Sequence, residues 1–210
     1  IYMAFIVFLL YAPILTLVVL SFNFSRTRAK WGGFTLDWYQ ALFANKDIMN
    51  ALYTTLVIAL LSAAAATLIG TAASVGISSM KARTRTVFMG VTNIPMLNGE
   101  IVMGISLMLL FIIGRIELGF GTILLAHITF NLPYVILSVM PKMKQTSRAT
   151  YEAALDLGAS PLYAFWKVTF PDIMPGVVSG FLLSFTMSLD DFVITYFTKG
   201  PGIDTLPTKI

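Results

Sequence analysis

The 210-residue sequence contains no cysteine, a single histidine and few charged residues. Without cysteine there is no disulfide framework, and His127 has neither a cysteine nor a second histidine to complete a metal site. Charged residues make up only 11% of the chain, against about 25% in a soluble domain. The net charge of +4 is spread over loops, without the basic stripe that binds nucleic acid. Since we also find no nucleotide-binding P-loop and no catalytic triad, we expect no enzyme, no cofactor and no bound metal.

The sequence is instead rich in long apolar stretches. Hydrophobic residues make up 57% of the chain, and its mean hydropathy is +0.83. A helix needs about 20 apolar residues to cross about 30 Å of hydrocarbon, and backbone in lipid must satisfy its own hydrogen bonds. The stretches that meet this need are residues 1–22, 50–80, 86–114, 120–140 and 173–197. The sequence therefore predicts an all-α membrane protein, a polytopic helical bundle with five spans in one domain over residues 1–210, in contact with membrane lipid.

The start of the chain and its orientation are less clearly marked. The first stretch is too long for a removable signal peptide and lacks a small-residue cleavage site. Because the chain starts inside an apolar stretch without an initiator methionine, we expect it to be truncated at the N-terminus. Lysine and arginine are divided equally between the two sets of loops, so the positive-inside rule does not determine the orientation.

The third apolar stretch is interrupted in its middle. Pro95, Asn98 and Gly99 lie there, and Glu100 follows at once. A break in a membrane helix is tolerated only where it is covered by protein or lines a cavity. We therefore predict a tilted or broken helix at this place.

Three acids are the only charged residues inside the apolar stretches: Glu100, Asp190 and Asp191. A charge at membrane depth is costly unless it faces a partner or a wet cavity, and no lysine or arginine accompanies these three. If both spans begin at the inner face, the acids lie about 22–26 Å across the membrane. We interpret them as an acidic collar for a cation. Two simpler interpretations stay open: Asp190 and Asp191 cap a helix in solvent, or Glu100 acts as an N-cap-like residue after the break.

Other side chains could complete a cation pathway. Ser188 adds a hydroxyl, and aromatic faces attract ammonium groups. The aromatic residues of segment 23–49 equally suit a membrane–water interface, so that alternative stays open. His127 is predicted to hydrogen-bond inside the bundle, with Asn131 or a backbone carbonyl. The predicted substrate pathway comprises Glu100, Ser188, Asp190, Asp191, Trp38, Tyr39 and Tyr196.

Residues 142–172 form a polar island between the fourth and fifth apolar stretches. Helix formers fill residues 149–157, and Gly158 follows as a residue able to take a left-handed conformation. Ser160 then suits an N-cap, with Pro161 at the first helical position. Pro171 and Pro175 are predicted to close this second helix and start the next span. The alternative is an ordinary amphipathic helix on the membrane surface.

The residues of this island match a known motif in type and spacing: Glu152-Ala153-Ala154, Gly158-Ala159, Phe165 and Pro171. The island resembles the EAA loop of the transmembrane subunits of binding-protein-dependent ABC importers. The resemblance implies that the loop faces the cytosol and that these residues couple the chain to its ATPase.

More of the chain resembles one branch of this family, the PotC-type permeases of spermidine/putrescine importers. The similar segments are residues 11–13, 21–25, 38–39, 100–102, 127–130 and 183–191, together with Gly200-Pro201 and Leu206-Pro207. The sequence differs from the PotC-type pattern at Glu100, where we expect aspartate. The negative charge is kept, but on a longer side chain.

The resemblance implies the type I importer fold, with a sixth span after Ile210. It also implies ATP-driven polyamine uptake across the bacterial cytoplasmic (inner) membrane, together with a PotB-type permease subunit, two ATPase subunits and an extracytoplasmic polyamine-binding protein. Spermidine and putrescine are not distinguished. One alternative is a related importer for another solute, such as iron or a phosphonate. The other is a proton-coupled secondary transporter that uses Glu100 and Asp190 as relays.

Overall fold

The computed structural model describes residues 2–25 and 30–210, in which every regular element is a helix. The elements are α1 (Tyr2–Leu20), α2 (Asp37–Ala44), α3 (Lys46–Ser79), α4 (Ala82–Leu97), α5 (Glu100–Ile113), α6 (Phe120–Gln145), α7 (Arg148–Asp156), α8 (Pro161–Ala164), a π-helical turn (Phe165–Thr169), α9 (Phe170–Asp190), α10 (Val193–Thr198) and α11 (Leu206–Lys209). The described chain divides into two compact units, Ile1–Asn50 and Ala51–Ile210. The prediction of an all-α membrane protein is confirmed.

The long apolar helices correspond to the predicted spans. Three helices of the described residues are long and apolar enough to cross a membrane: Lys46–Ser79, Phe120–Gln145 and Pro161–Asp190. Helices α4 and α5 make a fourth if they count as one span. The predicted first span, whose residue Ile1 lies outside the described residues, corresponds to α1, with a shorter apolar run over Phe5–Leu20.

The third predicted span is broken where its sequence indicates. The axes of α4 and α5 are bent by 104° at Asn98 and Gly99. Asn98 has extended backbone angles, and Pro95 lies in the last turn of α4. Glu100 is therefore the first residue of α5 rather than a mid-helix residue. The prediction of a broken helix is confirmed.

The first unit contains an aromatic cluster next to a loop held by Asn23. The ring of Phe22 lies 5.4 Å from those of both Phe34 and Tyr39. The side chain of Asn23 donates to the carbonyl of Lys30 (2.8 Å) and accepts from the Gly32 N–H (2.7 Å). These contacts pair the buried amide of Asn23 with backbone groups of the loop.

In the second unit, α9 packs on α6 through a stripe of small residues. Gly176, Gly180, Ser184 and Ser188 recur every four residues and are all buried, so they share one face of α9. A Cβ on Gly176 would lie 2.8 Å from the carbonyl oxygen of Ser138 on α6. Small residues of this kind let membrane helices approach closely.

We expect Gly176→Ala to lower the thermal unfolding midpoint of the purified full-length protein. The new methyl group would press on a backbone atom, and overpacking of this kind costs about 1–3 kcal/mol. Gly76→Ala in α3 is the matched control, because nothing lies within 4 Å of its added Cβ. Alanine is the better helix former by roughly 0.5–1 kcal/mol, so the control is expected to be neutral or stabilising. Equal midpoints for the two variants would contradict the packing account.

The segment after α10 folds back on the second unit. Leu206 donates its N–H to Thr55 Oγ1 on α3 (2.7 Å), and Thr122 Oγ1 on α6 donates to the carbonyl of Thr198 (2.8 Å). Asp204 accepts hydrogen bonds from the ammonium groups of Lys199 (2.7 Å) and Lys209 (3.2 Å). The hydrogen bonds from Lys199 and then Lys209 hold the pKa of Asp204 below its ordinary value.

Candidate functional site

The polar island folds as two short helices around a left-handed glycine. Helix α7 ends at Asp156, and Gly158 follows with φ +89°. The N–H of Gly158 donates to the carbonyl of Leu155 (2.9 Å), which closes the end of α7. Ser160 Oγ accepts from the N–H of Tyr163 (3.3 Å), with Pro161 at the first position of α8. The predicted helix, left-handed glycine, N-cap and helical proline are all confirmed.

The prediction that Pro171 and Pro175 close the second helix is wrong. Helix α8 continues through the π-helical turn into α9, so Pro161–Asp190 is one 30-residue helix. The N–H of Phe170 donates to the carbonyl of Phe165, five residues back. This wider turn precedes Pro171, whose ring would otherwise crowd the preceding turn of an α-helix. Helix α8 is thus continuous with the following span, whereas α7 is separated from it by Gly158.

Several large apolar side chains of the loop are exposed. The exposed fraction is 90% for Leu157, 69% for Leu162 and 53% for Trp166. Phe165 is half-buried, and its ring lies 5.6 Å from that of Trp166. Among the other residues of the motif, Glu152, Ala153, Gly158 and Pro171 are exposed, whereas Ala154 and Ala159 are half-buried. The loop therefore exposes large apolar side chains as well as the acidic Glu152.

A buried polar network lies at the other end of α9. Its central member is His127 on α6, whose exposed fraction is 2%. His127 Nδ1 is 3.0 Å from Ser188 Oγ, and His127 Nε2 is 2.9 Å from Thr195 Oγ1 and 3.3 Å from Asp191 Oδ2. The predicted partners of His127, Asn131 or a backbone carbonyl, are therefore wrong for its ring nitrogens, since side chains of α9, α10 and their junction occupy both.

Asp191 connects this network to α10. Its Oδ2 accepts from the N–H (2.8 Å) and the hydroxyl (2.9 Å) of Thr195, and its Oδ1 accepts from the N–H of Ile194 (3.2 Å). Asp191 thus caps α10, but it does so in the interior rather than in solvent. Asp191 therefore has a buried partner, His127, although neither a lysine nor an arginine accompanies it in the apolar stretches.

Ser188 connects the network to a second residue of α6 and to one further helix, α3. Asn131 Nδ2 on α6 donates to Ser188 Oγ (2.8 Å), and Ser62 Oγ on α3 lies 3.0 Å from the same atom. Ser62 and Asn131 are fully buried. Residues of α3, α6, α9 and α10 are thereby joined through polar side chains within the bundle, where a hydrogen bond lost is not replaced by water. We call the six residues His127, Asp191, Thr195, Ser188, Asn131 and Ser62 the polar network.

The residues predicted to line a substrate pathway fall into three groups. Glu100, Asp190 and Tyr196 are exposed in the second unit, at the start of α5, at the end of α9 and on α10. Ser188 and Asp191 are buried in the polar network. Trp38 and Tyr39 belong to α2 of the first unit, where Trp38 Nε1 donates to the carbonyl of Asn23 (3.0 Å) and the hydroxyl of Tyr39 lies 2.7 Å from Ser21 Oγ.

Comparison with known proteins identifies the family. The family model for the binding-protein-dependent transport system inner membrane component matches residues 66–210. The chain belongs to this family. Among similar proteins, the spermidine/putrescine transport system permease protein PotC of Escherichia coli (strain K12) is 42% identical over 201 residues, which cover 96% of this chain and 76% of the relative. The putrescine transport system permease protein PotI of the same strain is 41% identical over 208 residues, covering 96% and 74%.

A more distant relative extends the same likeness. The PotC homolog of Mycoplasma pneumoniae is 36% identical over 220 residues, covering 96% of this chain and 75% of the relative. The resemblance to PotC-type permeases expected from the motifs is therefore confirmed. The protein is a multi-pass permease component of the cytoplasmic membrane, in a transport system that depends on a binding protein.

In this permease the mutual contacts of the polar network were not predicted from the sequence. A signal for part of it was present, because Asp191 stands three and four residues before the N–H groups that it caps. The four-residue spacing of small residues along α9 also indicated a buried face. No comparable pattern links Ser62 or His127 to Ser188, since those contacts join helices far apart in the chain.

Proposed function

We propose that this permease translocates polyamines, spermidine or putrescine, as one membrane subunit of an ATP-driven importer. The observation that carries the proposal is the 42% identity to PotC across 96% of the chain. The 41% identity to PotI supports the same class of solute, since its name also specifies putrescine. PotC is named for spermidine and putrescine, and PotI for putrescine alone. The proposal therefore concerns polyamines as a class and does not choose between the two.

The chemistry of the second unit supports a cationic solute. Glu100 and Asp190 are exposed carboxylates in or at the end of apolar helices. Tyr196 offers an exposed aromatic face, stacked on Phe192 at 5.5 Å. Polyamines are flexible linear cations, and carboxylates together with π faces attract their ammonium groups. We propose that these three residues line the pathway.

The polar island, residues 142–172, has features that suit the binding of an ATPase subunit. Leu157, Leu162 and Trp166 are exposed although the loop is the polar island of the sequence. Exposed apolar side chains on a short helix suit insertion into a partner's groove. We propose that this surface docks on an ATPase subunit, with two such subunits, a PotB-type permease and an extracytoplasmic polyamine-binding protein in the complete importer. ATP hydrolysis then takes place outside this chain.

Reconstitution tests this function. The full-length protein is expressed together with a partner permease, an ATPase and a polyamine-binding protein from its own organism, and the purified complex is placed in liposomes. We expect uptake of radiolabelled spermidine or putrescine that requires both ATP and the binding protein, and falls to background without either. Uptake that survives ATP depletion but collapses with the proton gradient would instead indicate a secondary transporter.

A further inference from the structure

The polar network divides consecutive residues between the interior and the surface. Asp191 and Thr195 are buried, while their neighbours Asp190 and Tyr196 are exposed. Helix α9 ends at Asp190, and Asp191 takes extended backbone angles before α10 begins. The direction of the two exposed side chains therefore depends on how firmly their buried neighbours are held.

The hydrogen bonds show which atom holds Asp191 and Thr195 in place. Thr195 Oγ1 donates its hydrogen to Asp191 Oδ2, so toward His127 the hydroxyl can only accept. His127 Nε2 must then carry a hydrogen, which it directs at Thr195 Oγ1 (2.9 Å) and toward Asp191 Oδ2 (3.3 Å). The imidazole is the one group from α6 that contacts both buried residues.

The opposite nitrogen fixes the ring itself. His127 Nδ1 contacts Ser188 Oγ (3.0 Å), which also accepts from Asn131 on the same helix. The imidazole is thereby held between the last turn of α9 and the start of α10. An orientation set by contacts at both nitrogens is more precise than one set by packing alone.

We propose that His127 is a positioning residue for cation recognition: it fixes Asp191 and Thr195, and through them the orientation of Asp190 and Tyr196. The proposal rests on the proposed function for its substrate. Its structural part, that His127 controls the exposed neighbours of its partners, stands apart from the identity of the solute. His127 itself does not contact the polyamine.

Two amide variants of His127 distinguish the contribution of ring nitrogen Nε2 from that of Nδ1. In His127→Gln the side-chain amide reaches about as far as Nε2, so a donor toward Thr195 and Asp191 is kept. In His127→Asn the amide reaches only as far as Nδ1, so the contact with Ser188 is kept and the donor toward Asp191 is lost. Both variants leave an amide at a buried polar position, which makes each the control for the other.

Site-directed labelling reads out the orientation without any polyamine. Because residues 1–210 contain no cysteine, Asp190→Cys and Tyr196→Cys each introduce the one thiol of this part of the subunit. Labelling rates with a thiol-specific methanethiosulfonate reagent are measured in the complete reconstituted complex. We expect rates in the His127→Gln background within about twofold of the parent, and a change of about fivefold or more in the His127→Asn background.

Transport gives the second measurement, with the native Asp190 and Tyr196 in place. His127→Asn is expected to raise the KM for spermidine at least about tenfold, while ATPase subunit retention and basal ATP hydrolysis stay at the parent level. His127→Gln is expected to keep the parent KM. A merely structural residue would instead lower assembly and maximal rate, and would leave the KM of the surviving complexes unchanged.

The outcomes separate this proposal from the proposed function. Parent-like labelling and KM in His127→Asn would overturn the positioning role. Equal losses of assembly in both variants, with unchanged labelling of the assembled complex, would also overturn it and leave His127 a packing residue. If the parent complex transports no polyamine but labelling still differs between the two variants, the proposed function fails and the control of orientation by His127 stands.

Discussion

Replacing Gly158 by valine is expected to uncouple the permease from its ATPase. Gly158 has φ +89°, a conformation that a β-branched residue avoids. No described atom of this chain lies within 4 Å of an added Cβ, so the strain comes from the backbone conformation and not from a clash of the Cβ within the chain. The strain of about 1–2 kcal/mol would shift the angle between α7 and α8 and lower ATPase affinity by roughly fivefold to thirtyfold.

The matched variant is Gly158→Asn, because asparagine tolerates the left-handed region better than other non-glycine residues. Retention of the ATPase subunit on the purified complex and substrate-stimulated ATP hydrolysis are the measurements. We expect both quantities to decrease in the order parent, Gly158→Asn, Gly158→Val. Glu152→Ala is also expected to lower both, because Glu152 belongs to the motif that resembles the EAA loop. Parent values in Gly158→Val and Glu152→Ala would remove the coupling role from this loop.

Removing the charge of Glu100 or Asp190 is expected to reduce polyamine uptake about tenfold or more, because an ion pair counts more in a partly dry site than in water. Glu100→Gln and Asp190→Asn keep the size of each side chain. The uptake of spermidine, which carries three positive charges, should fall more than that of putrescine, which carries two, because spermidine can form more ion pairs with the pathway. Uptake rates of both polyamines across substrate concentrations give the comparison.

Asp47→Asn is the control for this series, because Asp47 is an exposed acid in the first turn of α3 outside the predicted pathway. It should transport at the parent rate. Parent rates in Glu100→Gln and Asp190→Asn at all concentrations would contradict the cation pathway. An equal loss for both polyamines would point to packing rather than charge.

Asp191→Asn should behave differently from Asp190→Asn, although the two residues are adjacent. Asp191 accepts hydrogen bonds from the Thr195 and Ile194 N–H groups and from the Thr195 hydroxyl, and an amide cannot accept at both of its ends. We expect a lower yield of folded protein and a lower unfolding midpoint. Asp190→Asn is expected to leave both unchanged, because Asp190 is exposed.

Local features of this protein follow from the sequence because each is fixed by neighbouring residues. Apolar length predicts membrane helices, and Gly158, Ser160 and Pro161 mark the turn between α7 and α8 through backbone preferences alone. The break before Glu100 is likewise present in Pro95, Asn98 and Gly99. The acidic residues within apolar stretches can also be identified from the sequence alone, whereas the fold decides whether each of them meets a partner or a wet cavity.

The tertiary structure decided which of those residues are buried together. Pro171 and Pro175 read locally as helix ends, yet the π-helical turn at Phe165–Thr169 carries the helix past them. Asp190 and Asp191 are equivalent in the sequence, but only Asp191 meets His127, because α6 packs against the end of α9. Contacts between residues 60 or more positions apart depend on close approach of helices at positions such as Gly176 and Gly180, and the spacing of these small residues does not specify which helix approaches.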